Sequence, residues 1–181
     1  NIKASHLSTL VELNSVSGNI NSHNLSGKIR LSTVSGNIND RDSSGRLNLK
    51  AVSGNVIARS SAEEVTVNTV SGDVETELSG VDELFISTIS GNYEGNLALN
   101  NNGSVKMSSI SGDLDIFFDE PVQASFKMNT KAGGRLVNKL TTDKAIKAKY
   151  GPRAKLNFST GNASSSVKAT TVSGQIKVAG K

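Results

Sequence analysis

Two sets of charged residues have the types and the spacing to do chemistry. The first is acidic. Glu75, Glu94 and Asp115 each fall five residues after the first aliphatic residue of a repeated unit, and Asp73, Asn92 and Asp113 fall two residues earlier in the same units. If the units stack, the two triplets become neighbouring outward columns. Carboxylates held that close repel one another. As a pair they could divide the acid and base roles of glycoside cleavage, or they could share a cation. A plain solvated face is the bland reading of the same residues. The second set is basic: Lys139, Lys144, Lys147, Lys149, Arg153 and Lys155 gather in a short stretch in which Asp143 is the only acid. Lys147, Lys149 and Lys155 are expected to share one outward face, whose repulsion a polyanion would relieve.

Other chemistries find little support. The two histidines, His6 and His23, occupy different phases of the repeat and are not expected to stack. Glycine recurs throughout, but no Gly-Lys-Ser/Thr follows a strand and no Gly-x-Gly-x-x-Gly opens a helix. With no cysteine there are no disulfides and no thiolate metal sites. No apolar run approaches the roughly 20 residues of a membrane helix. The expectation is a protein without catalytic residues, metal or cofactor; Asp73, Glu75, Glu94, Asp113 and Asp115 are the weak metal candidates.

The elements that must position these residues come from an internal repeat. Val16-Ser17-Gly18-Asn19-Ile20 returns at Val34, Val52, Val70, Ile89 and Ile110, at intervals of 18, 18, 18, 19 and 21 residues. Weaker Ser-Gly units lie midway, so Gly18, Gly27, Gly36, Gly45 and Gly54 are each nine apart. Ser-Gly supplies a corner, and period-2 stretches such as Ile29-Arg30-Leu31 and Val65-Thr66-Val67 read as strands with one apolar face. Stacking predicts an all-β, single-chain parallel β-helix or β-solenoid with about 18–21 residues per coil, and crossovers between parallel strands favour the right hand. Val16, Val34, Val52 and Val70 are expected to form one interior column, with Ile29, Leu47 and Val65 in another. Only 35% of residues are apolar and 4% aromatic, which suits a narrow aliphatic core. Calcium β-rolls also use nonapeptides, but their paired glycines and regular aspartates are missing here.

The chain reads as one domain, residues 1–181, with two characters. Residues 1–120 form regular acidic coils, with 8 Lys/Arg against 15 Asp/Glu. Residues 121–181 form less regular basic coils, with 12 against 1. A hairpin is expected near 145–159, with a three-residue Gly151-Pro152-Arg153 loop placing Tyr150 opposite Ala154 and Lys149 opposite Lys155. The repeat is expected to return at Thr160-Gly161-Asn162 and at Val172-Ser173-Gly174.

The coils from Val16 to Leu114, the following Asp115-Ile116-Phe117-Phe118, the alternating strand at Val122–Met128, the Gly133-Gly134 break and the closing Val172-Ser173-Gly174 together resemble a bacterial adhesin-like family of unknown function. Ala132, Thr160 and Gln175 depart from its Ser-Gly-Asp/Asn pattern. The resemblance implies a β-helical domain, exported to the periplasm, cell surface or exterior, with its signal segment outside this chain and no established reaction. The leading expectation is a non-catalytic adhesin or cell-envelope scaffold. The alternatives are a polyanion-binding module acting through the basic region and a carbohydrate-active enzyme using the outer carboxylates. The expected partners are an anionic glycan or another envelope or membrane-surface component, not a specific nucleic acid. Exposed strand edges at the solenoid ends allow end-to-end association.

Overall fold

Alternating apolar residues broken by Ser-Gly corners make short strands that cannot bury their apolar face alone, and coil stacks on coil. The computed structural model describes residues 1–181 and consists of strands and turns. A short face carries β1 (Ile2–Ser5), β3 (Ile20–His23), β5 (Ile38–Arg41) and β7 (Val56–Ser60). A long face carries β2 (Leu10–Ser17), β4 (Ser26–Ser35), β6 (Ser44–Ser53) and β8 (Glu64–Ser71). Two longer strands, β9 (Val74–Ser90) and β10 (Tyr93–Ser111), run round the corner and belong to both. Neighbours pair in parallel and in register, so Ile29, Leu47, Val65 and Leu84 stack into one interior column, as expected.

The corner after each long-face strand explains the glycine. Gly54 has φ +133°, and a Cβ there would run into the carbonyl oxygen of Gly36 one coil below. Only glycine supplies that backbone without strain and lets the next corner approach so closely.

One interior column differs from expectation. Val16, Val34, Val52 and Val70 face solvent, with 77% of Val16 and 49% of Val34 exposed. Strand phase is the reason. Ile29 and Leu31 point inward, so Thr33 does too and Val34 must point out. The inward column is Thr33, Ala51, Thr69, Thr88 and Ser109, with the Thr69 hydroxyl donating to Thr88 Oγ1 at 3.0 Å.

At the C-terminal end the order along the axis leaves the order of the chain. β11 (Leu114–Phe118) continues the short face. The chain then skips a rung to lay down β12 (Ala124–Thr130) and β13 (Arg135–Asn138), adds the two-residue β14 (Ile146–Lys147), and returns through β15 (Ala154–Ser159). Its last two strands, β16 (Ser165–Ser173) and β17 (Gln175–Gly180), fill the skipped rung: β16 lies between β10 and β12, and β17 between β11 and β13. β15 closes the long face by pairing antiparallel with β12.

The core is one cluster of 35 buried residues, mostly aliphatic along the coils. Where β12 and β15 close the end it becomes aromatic: Phe126 stacks on Phe158 at 4.5 Å, and Phe118 meets Phe126 edge-on at 5.5 Å.

The hairpin exists but in another register. Ile146 pairs with Lys155 and Lys147 with Ala154, leaving a six-residue connection, 148–153, in place of the three-residue loop. β14 hangs at the sheet edge with nothing to pack on, so Ile146 and Tyr150 are 77% and 83% exposed. The Thr160-Gly161-Asn162 segment is likewise not a coil corner. It is the tight turn, closed by Ala163 N–H donating to the Thr160 carbonyl at 3.1 Å, that reverses the chain from β15 into β16.

Candidate functional site

The two acidic columns form as expected, and their surroundings commit most of them to structure. Asp73, Asn92 and Asp113 belong to a ladder running the length of the coils. Each Asn or Asp after a corner glycine accepts a hydrogen bond from the backbone N–H of the corresponding residue one coil on. Asn19 accepts from Asn37 at 2.9 Å, Asn37 from Asn55 at 2.8 Å, Asn55 from Asp73 at 3.0 Å, Asp73 from Asn92 at 2.8 Å, and Asn92 from Asp113 at 3.0 Å. Asp113 accepts from Gln175 N–H at 2.7 Å, and there the ladder stops.

In the second column Glu75, Glu94 and Asp115 are cross-strand neighbours. Arg59 bonds Glu75 at 2.7 Å and approaches Glu77 at 3.7 Å, and Lys177 of the inserted β17 bonds Asp115 at 3.2 Å. Only Glu94 stands without such a partner. No group of three or more His, Asp or Glu side chains is placed to hold a metal ion.

Other coil charges are paired along the same register. Arg46 faces Glu64, holding that carboxyl below its usual range while its own guanidinium is pushed up. Arg30 faces Glu12 at 3.9 Å. One carboxylate lies inside the solenoid: Asp40, fully buried, accepts from Ser22 at 2.5 Å and Ser43 at 2.7 Å, while its second oxygen has no partner. Burial raises its pKa, and the two serine hydroxyls only partly oppose that.

The histidines do not stack, as their different phases led us to expect, but they do come near each other. His6 holds a left-handed corner, φ +57°, at the position of Asn24 and Asp42 in later coils, which brings its ring beside that of His23. The rings are tilted by 58° with centroids 5.7 Å apart, and His23 Nε2 lies 3.2 Å from Asp42. Both positions are coil ends open to solvent.

The basic set divides. Lys144, Lys147, Arg153 and Lys155 rim one groove at the hairpin, together with Asp143 and Ile146. Arg135, Lys147 and Arg153 rim a second beside Gly133 and Gly134. Lys149 instead lies over the Tyr150 ring at 5.4 Å, and Lys139 follows β13, outside both grooves. The observed register corrects the shared face. Directly opposed residues project to the same side, so Lys147 goes with Ala154 and Lys155 goes with Ile146, on opposite sides of the ribbon.

A further basic group was not apparent from local density. On the outer long face Lys106 of β10 pairs with Lys168 of β16, and Lys168 with Lys127 of β12. The strand insertion brings three distant residues onto adjacent rungs, about 4.8 Å apart. A signal for them was present: Ser104-Val105-Lys106-Met107, Ser125-Phe126-Lys127-Met128 and Ser166-Val167-Lys168-Ala169 share one Ser-apolar-Lys-apolar frame. Of the 12 cations in 121–181, Lys177 alone forms an ion pair within 4.0 Å.

No curated protein and no solved structure matches the chain. The family model that matches is described as Toastrack DUF4097 and takes in residues 57–181, hence the coils from β7 onward and the whole basic end. With well over half of its length matched, the chain belongs to the Toastrack DUF4097 family, a family of unknown function.

Proposed function

We propose that the protein is a non-catalytic β-solenoid scaffold, exported to the cell envelope or beyond, which holds a polyanion against its basic C-terminal end. The observation that carries this reading is the contrast in charge pairing. Three of the eight cations in 1–120, Arg30, Arg46 and Arg59, meet carboxylates and the rest share that region with 15 acids, whereas in 121–181 only Lys177 of twelve cations is paired and there is a single acid. A fold that sets cations side by side without internal partners pays an electrostatic cost that an external anion removes. The coils in turn act as a rigid spacer. An adhesin or envelope scaffold is the biological setting that fits such a spacer, and the outer carboxylates, engaged in the ladder and in ion pairs, suit structure better than catalysis.

The test is binding to heparin and to vesicles rich in anionic lipid, titrated with salt. The expected result is an affinity for at least one of them that falls steadily with ionic strength. It should drop by about tenfold when Lys127, Lys168, Lys144, Lys147 and Arg153, taken from both basic groups, are replaced together by Gln, as loss of several partly exposed charge contacts implies. No salt-dependent binding of either probe by the wild-type protein would overturn the reading.

A further inference from the structure

The lysine ladder has features that the rest of the basic end lacks. Lys106, Lys168 and Lys127 are all exposed and stand opposite one another on successive rungs of the outer long face. The column continues toward the coils to Phe85, opposite Lys106 and 40% exposed, and ends outward at Asn157, opposite Lys127. To one side runs Ser104, Ser166 and Ser125; to the other, Ser108, Thr170 and Asn129. The nearest acid in register is Glu83, in the serine column next to Ser104, and no carboxylate lies within 4.0 Å of any of the three lysines.

Each part selects against some ligands. Three ammonium groups on rungs about 4.8 Å apart ask for a linear polymer with one negative charge per unit on that scale, laid along the solenoid axis and across the strands. Hydroxyl and amide columns on both sides can donate and accept, which suits a polymer whose uncharged groups are themselves hydroxyls. One exposed aromatic at the end of the row offers an apolar face to the C–H side of a pyranose ring. Single-stranded nucleic acid instead calls for successive aromatic platforms under successive bases, and the row has one.

We infer that the outer long face from Phe85 to Lys127 is a binding site for an extended acidic polysaccharide, with Lys106, Lys168 and Lys127 each meeting the carboxylate or sulfate of a successive sugar. This rests on the polyanion reading above and names its ligand class and its surface. The inserted β16 assembles the site, because Lys168 is the middle rung and without it Lys106 and Lys127 would stand two rungs apart.

Calorimetric titration of the intact chain with oligogalacturonates of increasing length tests it. Affinity should climb until the oligomer covers the four rungs and then level off. K106Q/K127Q/K168Q should weaken binding of the hexamer by about tenfold or more. F85A should weaken it by a smaller factor, while K144Q/K147Q/R153Q leaves it nearly unchanged. Hexamer binding lost in the hairpin variant and kept in the ladder variant would overturn this site and leave the polyanion reading standing. Inorganic polyphosphate of equal charge number bound as tightly, and indifferent to F85A, would overturn the choice of a glycan. Wild-type protein that binds neither probe at low salt would sink the site, and the reading it rests on would fall with it if heparin and anionic vesicles also went unbound.

Discussion

In the coils, cation and carboxylate sit across from each other on adjacent rungs: Arg30 against Glu12, Arg46 against Glu64, Arg59 against Glu77 and, at the seam, Lys177 against Asp115. At the C-terminal end the same cross-strand geometry sets Lys106 against Lys168 and Lys168 against Lys127. Opposite charges across a strand pair favour folding, and like charges set directly opposite oppose it. The coils also oppose like charges, Lys28 to Arg46, Arg41 to Arg59 and Glu75 to Glu94, but Arg46, Arg59 and Glu75 each find a counter-ion on another rung, whereas the three lysines at the end find none. The cores differ as well. Aliphatic side chains repeat rung by rung in the coils, whereas Phe118, Phe126 and Phe158 fill the end, where β15 turns antiparallel and no further coil follows. A stack of equivalent rungs gives way to a purpose-built closure.

The sharpest way to break this comparison is at glycine. Gly54→Ala forces an L-residue to φ +133° and drives its Cβ into the Gly36 carbonyl, in the middle of the stack. Gly151 also has a positive φ, +96°, but nothing lies within 4 Å of a Cβ there. Urea denaturation should show Gly54→Ala losing about 3–5 kcal/mol, or failing to fold, and Gly151→Ala losing about 1 kcal/mol. Equal losses would mean that the corner stack is no tighter than the hairpin loop.

That corner was the most legible feature of the sequence, because an 18-residue spacing of Ser-Gly-Asn fixes rung, corner and register together. The acidic columns followed from it directly. The valine column did not, because its phase has to be counted from the strand, through Ile29, Leu31 and Thr33, and not from the turn. The hairpin register was lost for a related reason: Ile146 and Tyr150 look like core residues, but at a sheet edge there is no second layer to receive them. The lysine ladder depends on an insertion of β16 that no local pattern encodes. Its three tetrapeptide frames were visible, yet their adjacency is set by topology alone.

A second, intermediate effect should come from pH and be confined to the coils. Asp40 is buried with a raised pKa, so its contribution to stability is fully present below its unfolded pKa of about 3.9 and is lost as pH rises through its folded pKa. Asp40→Asn keeps the shape and removes the ionisation. Relative to wild type, the variant should gain stability as pH rises from about 4, and the gain should level off once the folded-state carboxyl is ionised. Superimposable stability profiles for the two proteins between pH 4 and 8 would show that Asp40 carries no such penalty.

The smallest effect locates the boundary between the two regions. The Asn/Asp ladder passes a hydrogen bond from rung to rung as far as Asp113, whose partner is the backbone of Gln175. On the next rung Arg135 N–H turns to the Gly174 carbonyl, so the Gln175 side chain is not asked to continue the series. The extra methylene that departs from the repeat thus stands where the repeat ends. Asn55→Ala removes an acceptor from Asp73 N–H and should cost about 1 kcal/mol, while Asn55→Asp, which keeps the acceptor, should cost less. Gln175→Ala should fall within about 0.5 kcal/mol of wild type. If Gln175→Ala proves as costly as Asn55→Ala, the ladder continues through the inserted coil, and the boundary drawn at Asp113 moves outward by one rung.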